Sequence, residues 1–284
     1  MLDYIRIACA VPAVKVGEVR KNIEDVCTYM AKADAQNVDI VVFPELCLTG
    51  YTCGDLFYQE TLHNAVEKGL LQILAHSRNF PQLTAVIGLP VRLGFQLANC
   101  AAVISDGCLR GLVSKTYLPD YGGCNESRWF SAVEEGSYVT IAGQEVSLGT
   151  DLLYRVGETT VGIDICEDLS APIPPSSFHA LNGAEVILNL SASAQQVGKK
   201  QERHLKVQAH SAACKCIYAF VSAGFGESTS DLVFSGQSII AENGTVLAEN
   251  EHVVDSDYML IQDCDLGRIR APENNSLKEL RLQI

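Results

Sequence analysis

The chain lacks the features that mark membrane proteins and nucleic-acid-binding proteins. Among its 284 residues, no apolar run approaches the ~20 residues that a transmembrane helix requires. Positive charge is also scarce, since 21 Lys and Arg residues stand against 34 Asp and Glu residues, for a formal net charge of -13. An acidic chain is repelled by nucleic-acid phosphates and by anionic lipid surfaces. We therefore expect a small molecule or another protein as partner, and neither nucleic acid nor membrane.

An export signal is missing as well. The apolar segment 5–11 follows Asp3 and is interrupted by Arg6, and a polar helical pattern begins soon after it. This segment is typical of a first β-strand. We expect a cytoplasmic protein.

The sequence has no arrangement of residues typical of a metal site. Its eleven cysteines contain no Cys-x-x-Cys pair, and most of them stand singly in apolar segments, as buried thiols of a reducing compartment do. The six histidines are scattered. His204 and His210 share a predicted helix but lie six apart, not at the i, i+4 spacing that puts two ligands on one face. A metal hydrolase is disfavoured, and we expect no metal.

Apolar periodicity predicts an α/β protein. Helical spacing from Val19 to Ala33 is followed by a β-type run at 39–43, and a helix over 62–74 is followed by a strand at 85–89. Further strands at 186–190 and 217–221 flank a helix at about 200–214. Turn signals predict three hairpins, at Asp106-Gly107, Gly157-Glu158 and Glu242-Asn243-Gly244. Because no linker or low-complexity tract interrupts the pattern, we expect one domain over residues 1–284.

Three reactive side chains follow predicted strands directly. In α/β sheets such groups gather at the carboxyl ends of strands, and this rule selects Glu45, Lys115 and Cys166. A thiol attacks a carbonyl as its thiolate, so it needs a base to take its proton and a cation to favour the anion. Glu45 and Lys115 supply these types. Taken singly, each residue is more often a loop acid, a surface charge or a core filler, and no His is placed to activate Cys166.

The residues around these three resemble the nitrilase, or carbon-nitrogen hydrolase, superfamily. The strings at 43–51 (FPELCLTGY), 115–119 (KTYLP) and 162–168 (GIDICED) are similar, in order and spacing, to its Glu, Lys and Cys blocks. The resemblance implies a four-layer α-β-β-α sandwich. It also implies a catalytic set in which Glu45 is the general base, Lys115 stabilises the tetrahedral intermediate and Cys166 is acylated.

Further strings narrow the resemblance to the N-terminal glutaminase domain of glutamine-dependent NAD synthetases. They lie at 117–121, 172–176, 189–193 and 223–231. The match implies that glutamine is the substrate and that no cofactor serves its hydrolysis. It implies an auxiliary carboxylate at Glu126. It also implies substrate contacts at the residues that match the family pattern, which are Tyr121, Ser193, Lys199 and the backbone N–H of Glu167.

The sequence departs from the family pattern in two places. Lys199 stands where close relatives have Arg, which replaces a bidentate carboxylate clamp by a single point charge. The loop 122–125 (GGCN) is smaller than the bulky aromatic stretch of the family. Both departures concern the substrate pocket and not the catalytic three.

The ATP-dependent half of such synthetases is not found in the sequence. No Ser-Gly-Gly-x-Asp-Ser run and no GxxxxGK[ST] loop occurs. The segment 277–281 falls about where the glutaminase domain hands over to the synthetase domain. We expect that domain, with its ATP and Mg²⁺, to be absent from this chain and to act as its partner, in the same polypeptide or in another. The resemblance also favours a homo-oligomer.

Two other functions remain open. A free-standing nitrilase-type amidase or carbamoylase would act on another small amide, which a substrate panel would reveal. A catalytically silent scaffold would have no chemical reason to keep Glu45, Lys115 and Cys166 together. The sequence therefore predicts a glutamine amidohydrolase that supplies ammonia for NAD synthesis in a synthetase domain.

Overall fold

The first half of the chain builds one mixed β-sheet, to which a strand near the C-terminus is added. The computed structural model describes residues 3–227, 232–250 and 256–271. Within them, eight strands form this sheet: β1 (Tyr4–Val11), β2 (Ile40–Val42), β3 (Thr84–Leu93), β4 (Gln96–Ser105), β5 (Cys108–Ser114), β6 (Ser137–Ile141), β7 (Gln144–Gly149) and β14 (Tyr258–Asp265). Their order is β14-β1-β2-β3-β4-β5-β7-β6. β1, β2 and β3 run parallel, whereas β14 pairs with β1, and β4 with β3, in antiparallel register.

The second half builds a smaller sheet. Its strands within the described residues are β8 (Tyr154–Val156), β9 (Thr159–Ile165), β10 (Val186–Ser191), β11 (Ile217–Ser222), β12 (Ser238–Glu242) and β13 (Thr245–Glu249). Their order is β13-β12-β11-β10-β9-β8. β9, β10 and β11 are parallel, and the outer strands are antiparallel to their neighbours.

Helices cover the outer faces of both sheets. They are α1 (Val19–Asp34), α2 (Glu60–Ser77), α3 (Pro175–Leu181) and α4 (Lys199–Cys214). The short α5 (Leu266–Arg270) instead adds Leu266 and Ile269 to the core between the sheets. Three 3-10 turns lie at Tyr51–Tyr58, Glu126–Arg128 and Cys166–Ser170. None of the helices in the described part of the chain is long and apolar enough to cross a bilayer.

Strand alternation decides which layer each side chain enters. In β1, Ile7 and Cys9 point into a core shared with the second sheet, whereas Ala8 and Ala10 point into a core shared with α1 and α2. The larger residues therefore fill the space between the sheets. The small ones let the helices approach.

The second sheet repeats this arrangement. Leu188 and Leu190 meet the first sheet, while Ile187 packs with Val207 of α4 on the outer face. The layers are α1 and α2, the large sheet, the small sheet, then α3 and α4. This confirms the predicted four-layer α-β-β-α sandwich.

The predicted elements agree with the structure apart from four additions. All three predicted hairpins are present, as β4–β5, β8–β9 and β12–β13. The β6–β7 hairpin, α3, the returning strand β14 and α5 were not predicted. The family-like string at 228–231 and the predicted handover at 277–281 lie outside the described residues. All eleven cysteines are free thiols, and seven of them are buried.

Candidate active site

The structure brings Glu45 and Lys115 into direct contact at the carboxyl edge of the large sheet. Glu45 follows β2, Lys115 follows β5, and the Lys115 Nζ donates to Glu45 Oε1 at 2.6 Å. Both side chains are buried, each with 1% residual exposure. A buried ion pair holds its geometry only where further hydrogen bonds satisfy both partners, so the neighbours of this pair matter.

Glu126, the predicted auxiliary carboxylate, is the second anionic partner of Lys115. Its Oε1 accepts from Lys115 Nζ at 2.7 Å and from the Tyr51 hydroxyl at 2.9 Å. The 3-10 turn Glu126–Arg128 holds it in place, since the backbone N–H of Glu126 donates to Pro119. One ammonium therefore bridges two buried carboxylates, and Tyr51, which the sequence did not indicate, completes the second one.

Asn99 of β4 is a further member that sequence reasoning missed. Its Nδ2 donates to Glu45 Oε1 at 2.6 Å, and its backbone carbonyl accepts from the Lys115 backbone N–H at 2.8 Å. One residue thus aligns both charges. The sequence signal that could have identified Asn99 was its position as a single amide in the otherwise apolar run 97–104.

The electrostatics of the cluster favour a permanently charged lysine. Burial alone would lower the pKa of Lys115, but the charges of Glu45 and Glu126 raise it well above its usual value. Burial raises the pKa of Glu126 to about 7, and the charge of Glu45 adds to this. Within the described residues, the Oε2 atoms of Glu45 and Glu126 are buried without a hydrogen-bond partner. Glu45 therefore has an acceptor available for a proton.

Cys166 enters from the small sheet and faces this cluster. It follows β9, opens the 3-10 turn Cys166–Ser170 and adopts a left-handed conformation with φ +48°. A non-glycine residue in that region is held there by its surroundings and is frequently part of an active site. The thiol is half-buried. Burial and then the charge of Glu45 raise its pKa, whereas Lys115 and a backbone hydrogen bond from Ala192 act in the opposite direction.

The resting group is therefore a thiol. It becomes a nucleophile when a neighbouring base takes its proton. Glu45 is the acidic side chain whose charge acts most strongly on Cys166.

Asp168 ties the Cys166 turn to the strand end that carries Lys115. Its carboxylate accepts from the backbone N–H groups of Ile165 and Tyr117, each at 2.9 Å, and of Thr116 at 3.2 Å. Burial, followed by the nearby Asp164, raises the pKa of Asp168 to about 8. The sequence placed this residue in a motif but gave no sign of its bridging contacts.

Two predicted substrate-contact residues meet each other. The Tyr121 hydroxyl donates to Glu167 Oε1, next to the nucleophile in sequence. This hydrogen bond, with partial burial, raises the pKa of Tyr121 to about 12. The Tyr121 side chain is exposed, and the charge of Cys166 also acts on it.

The other two substrate-contact residues lie apart from that pair. Ser193 Oγ accepts from Arg203 Nη1 at 3.0 Å, and Lys199 Nζ donates to Glu202 Oε1 at 3.0 Å. The structure thus joins Lys199 to an acidic neighbour on α4 and not to the catalytic cluster. The buried cation behind Ser193 is Arg203, which the sequence did not single out.

The backbone angles of the small loop at 122–125 suit its two glycines. Gly122 and Gly123 take positive φ values of 62° and 90°, which glycine adopts without a Cβ penalty. The thiol of Cys124 then hydrogen-bonds the Tyr51 hydroxyl. Across the described ranges, no group of three or more His, Cys, Asp or Glu side chains is arranged to hold a metal ion.

The comparisons with known proteins agree with this chemistry. Residues 6–273 match the family model described as carbon-nitrogen hydrolase. A glutamine-dependent NAD(+) synthetase of Mycobacterium tuberculosis is 35% identical over 272 residues, which are 94% of this chain and 40% of that protein. Its counterpart in Aquifex aeolicus is 32% identical over 257 residues, 90% of this chain and 41% of that protein. The chain thus spans about two fifths of the length of these relatives.

Solved structures show the same fold. A glutamine-dependent NAD(+) synthetase from Cytophaga hutchinsonii superposes with a TM-score of 0.82 at 27% identity, over 92% of this chain and 43% of that chain. A nitrilase-superfamily amidase from Nesterenkonia superposes with a TM-score of 0.79 over 100% of this chain and 96% of that one. At 18% identity, the second match supports the fold alone.

Proposed function

The chain belongs to the carbon-nitrogen hydrolase family, and from this membership and its site we propose that it hydrolyses the side-chain amide of glutamine through a thioester on Cys166. The observation that carries the proposal is the buried Lys115 ammonium, held 2.6 Å from Glu45 and 2.7 Å from Glu126 beside a half-buried thiol. A base, a cation and a thiol in one pocket are the set that acyl transfer from an amide requires.

In the first half-reaction Glu45 takes the proton of Cys166, and the thiolate adds to the amide carbon. The new C–S bond leaves a negative charge on the amide oxygen. Lys115 and the backbone N–H of Glu167 stabilise that oxyanion, at about 2.7–4 kcal/mol per donor on typical mutational magnitudes. Glu45 then gives its proton to the amine, the C–N bond breaks and ammonia leaves.

The second half-reaction uses the same base. Glu45 removes a proton from a water molecule that attacks the thioester carbon. The C–S bond breaks, glutamate leaves, and the thiolate recovers a proton. Glu126 holds Lys115 in position throughout, because the Lys115 ammonium binds both Glu126 and Glu45.

Glutamine is favoured by the names of the relatives and by the polar groups at the pocket. The synthetases of M. tuberculosis and A. aeolicus are named for glutamine dependence. We assign Tyr121, Glu167 and Ser193 to the amino-acid end of the substrate. Lys199 would serve its α-carboxylate by turning from Glu202, which costs little because exposed ion pairs are weak.

We further propose that the ammonia is used by a synthetase domain for NAD formation, since the relatives are more than twice as long as the match. ATP and Mg²⁺ would act in that domain, and the glutaminase step would need no cofactor. A homo-oligomer in the cytoplasm remains our expectation for the whole assembly.

The test is to treat the chain with a γ-glutamyl electrophile, map the adduct and measure glutamate release. We expect labelling at Cys166, and loss of both labelling and turnover in Cys166→Ala. Cys108→Ala is the matched control, because Cys108 is an exposed thiol remote from the cluster. Labelling elsewhere, with full turnover in Cys166→Ala, would disprove the assignment.

A panel of short amides and carbamoyl compounds separates this proposal from an amidase of other specificity. Glutamine should exceed the other amides in kcat/KM. Turnover of short aliphatic amides alone would favour the free-standing amidase. The panel is run with and without an added synthetase domain.

A further inference from the structure

Arg203 on α4 is a buried cation whose hydrogen-bond partners are all neutral. Only 4% of the residue is exposed. Its acceptors are Gln237 Oε1, Ser193 Oγ, Ala194 O, Gln195 Oε1 and Ser235 Oγ. A guanidinium carries five N–H donors, so each has an acceptor. Burial lowers the pKa of Arg203, and the charge of Cys166 is the largest opposing influence.

The five acceptors belong to two segments of the chain that lie side by side. One is the loop after β10, residues 193–195, and the other is the segment 235–237 that leads into β12. The backbone joins the same two segments, since Gln195 N donates to Val233 O and Ala194 pairs with Phe234. The Arg203 side chain hydrogen-bonds both segments.

The loop held by Arg203 connects the two halves of the catalytic cluster. Ser191, which ends β10, accepts from the backbone N–H of Glu45 at 3.3 Å. Ala192 hydrogen-bonds the sulfur of Cys166. A shift in the loop would therefore move a backbone donor away from the nucleophile and loosen the attachment of the base.

We propose that Arg203 is a positioning residue for amide hydrolysis. It fixes the loop 192–195 so that Ala192 meets the Cys166 sulfur, and the positive charge of Arg203 favours the Cys166 thiolate. The inference builds on the proposed function only in naming the reaction. Arg203 does not touch the substrate, because its five donors are already used.

The chemistry of the site explains why arginine occupies the position. The planar fork reaches acceptors on two sides at once, which a lysine ammonium on a single stem does not. Acidic side chains act on the guanidinium from a distance. The charges of Glu202 and Glu249 raise the pKa of Arg203 less than the charge of Cys166 does. Gln237 Nε2 donates to Glu249 Oε1 at 2.8 Å, and Glu249 Oε2 lies 2.6 Å from His204 Nδ1.

The test compares Arg203→Ala and Arg203→Lys with Arg270→Ala. Arg270 binds Glu185 through Nε at 2.6 Å and Nη2 at 2.9 Å, beside the amino end of β10 and far from Cys166. Both arginines bind segments that flank β10, Arg203 after its carboxyl end and Arg270 before its amino end. The readout is the alkylation rate of Cys166 by iodoacetamide near neutral pH, mapped by mass spectrometry and divided by the rate at exposed Cys108.

We expect Arg203→Ala to lower the Cys166 to Cys108 ratio roughly tenfold, the change that one pKa unit produces in a thiolate population. Arg203→Lys should fall between Arg203→Ala and wild type. Arg270→Ala should keep the wild-type ratio whatever its melting temperature. In glutamine turnover, Arg203→Ala should lower kcat roughly tenfold to a hundredfold and change KM less.

A wild-type ratio in Arg203→Ala would overturn the inference, and so would an equal loss in Arg270→Ala. If Arg203→Ala does not fold, Arg203→Lys decides, with a wild-type ratio overturning the proposal and a lower one supporting it. If the wild-type chain releases no glutamate, either alone or with an added synthetase domain, the proposed function fails. The alkylation ratio still tests Arg203, because it needs no substrate.

Discussion

The Lys115 ammonium lies 2.6 Å from Glu45 Oε1 and 2.7 Å from Glu126 Oε1, so one buried cation orders two carboxylates. Removing one partner of a buried ion pair is far more costly than the pair is stabilising, because it leaves a charge without compensation. Under the proposed function, the same residues serve catalysis and hold the sheet edge together. Substitutions there need a stability readout beside the activity.

Lys115→Met tests the cation at nearly constant side-chain length. It removes the oxyanion donor, so we expect kcat for glutamate release to fall at least ~10²-fold. It also leaves two buried carboxylates unpaired, for a loss of about 3–5 kcal/mol in the free energy of unfolding. Lys21→Met is the control. Lys21 pairs with Asp25 on the surface of α1, and its loss should change stability by less than ~1 kcal/mol. Wild-type kcat in Lys115→Met would exclude its catalytic role.

Glu126→Gln tests the raised pKa of the auxiliary carboxylate. The folded pKa of about 7 lies above the ordinary value of 4.5, so the folded state binds a proton more tightly than the unfolded state does. The stabilisation is complete below about 4.5 and is lost as the pH rises through about 7. Glutamine does not titrate, and its Oε1 still accepts from Lys115 and Tyr51.

Chemical denaturation across this pH range measures the effect. The difference in unfolding free energy, wild type minus Glu126→Gln, should decrease as the pH rises from about 4.5 to about 7. Glu134→Gln, at an exposed loop position, is measured beside it as the control for the substitution itself. A difference that is constant with pH would contradict the raised pKa.

Asp168→Asn tests the bridge between the Cys166 turn and the Lys115 strand end. The amide presents an N–H₂ group to backbone donors that now meet a carboxylate oxygen. We expect a loss of about 1–3 kcal/mol in unfolding free energy and a fall in kcat of roughly tenfold or more from misplacement of Cys166.

Asp55→Asn is the matched control, because Asp55 is an exposed acceptor for Arg128 and Trp129. It should leave kcat unchanged. Equal kcat in Asp168→Asn and wild type would show that the turn keeps its geometry without the carboxylate. Steady-state glutamate release and thermal unfolding give both quantities.

The proximity of Glu45, Lys115 and Cys166 could be predicted from the sequence, because each lies in a short local string after a strand. The residues that hold these three in place could not be predicted. Asn99 and Tyr51 gain their roles only when the strand ends of the large sheet and the Glu126 turn meet. Arg203 gains its role only when α4 packs against the segments 193–195 and 235–237. Such contacts join residues far apart in the chain. Asp168 was visible as part of a motif. Its three backbone donors, two of them across the sheet gap, were not.

The missed β6–β7 hairpin has a local cause. Its turn residues, Ala142 and Gly143, have φ values of 50° and 72°. This geometry normally calls for Asn-Gly or Asp-Gly, as found at Asp106-Gly107, where the hairpin was predicted. A left-handed alanine gives no turn signal. Tertiary packing of the buried Ala142 holds the strained residue instead.

Lys199 and Lys206 offer a test of the predicted carboxylate contact, because both bind the same acid. Lys199 Nζ lies 3.0 Å and Lys206 Nζ 2.7 Å from Glu202 Oε1. Removing either lysine costs one weak surface ion pair, and removing Lys206 also costs a hydrogen bond to Ser170 Oγ at 3.0 Å. The loss of stability should be below ~1 kcal/mol for Lys199. Their effects on glutamine turnover should differ if Lys199 turns toward the substrate.

We expect Lys199→Met to raise KM for glutamine roughly tenfold, the change that about 1.4 kcal/mol produces. The change in kcat should be small, because a contact that is equally strong in the ground state and the transition state affects binding alone. Lys206→Met should leave both constants unchanged. Lys199→Arg should lower KM, since a bidentate fork holds a carboxylate better than an ammonium does. If Lys199→Met and Lys206→Met give the same KM as wild type, Lys199 remains a partner of Glu202, and another group must hold the α-carboxylate.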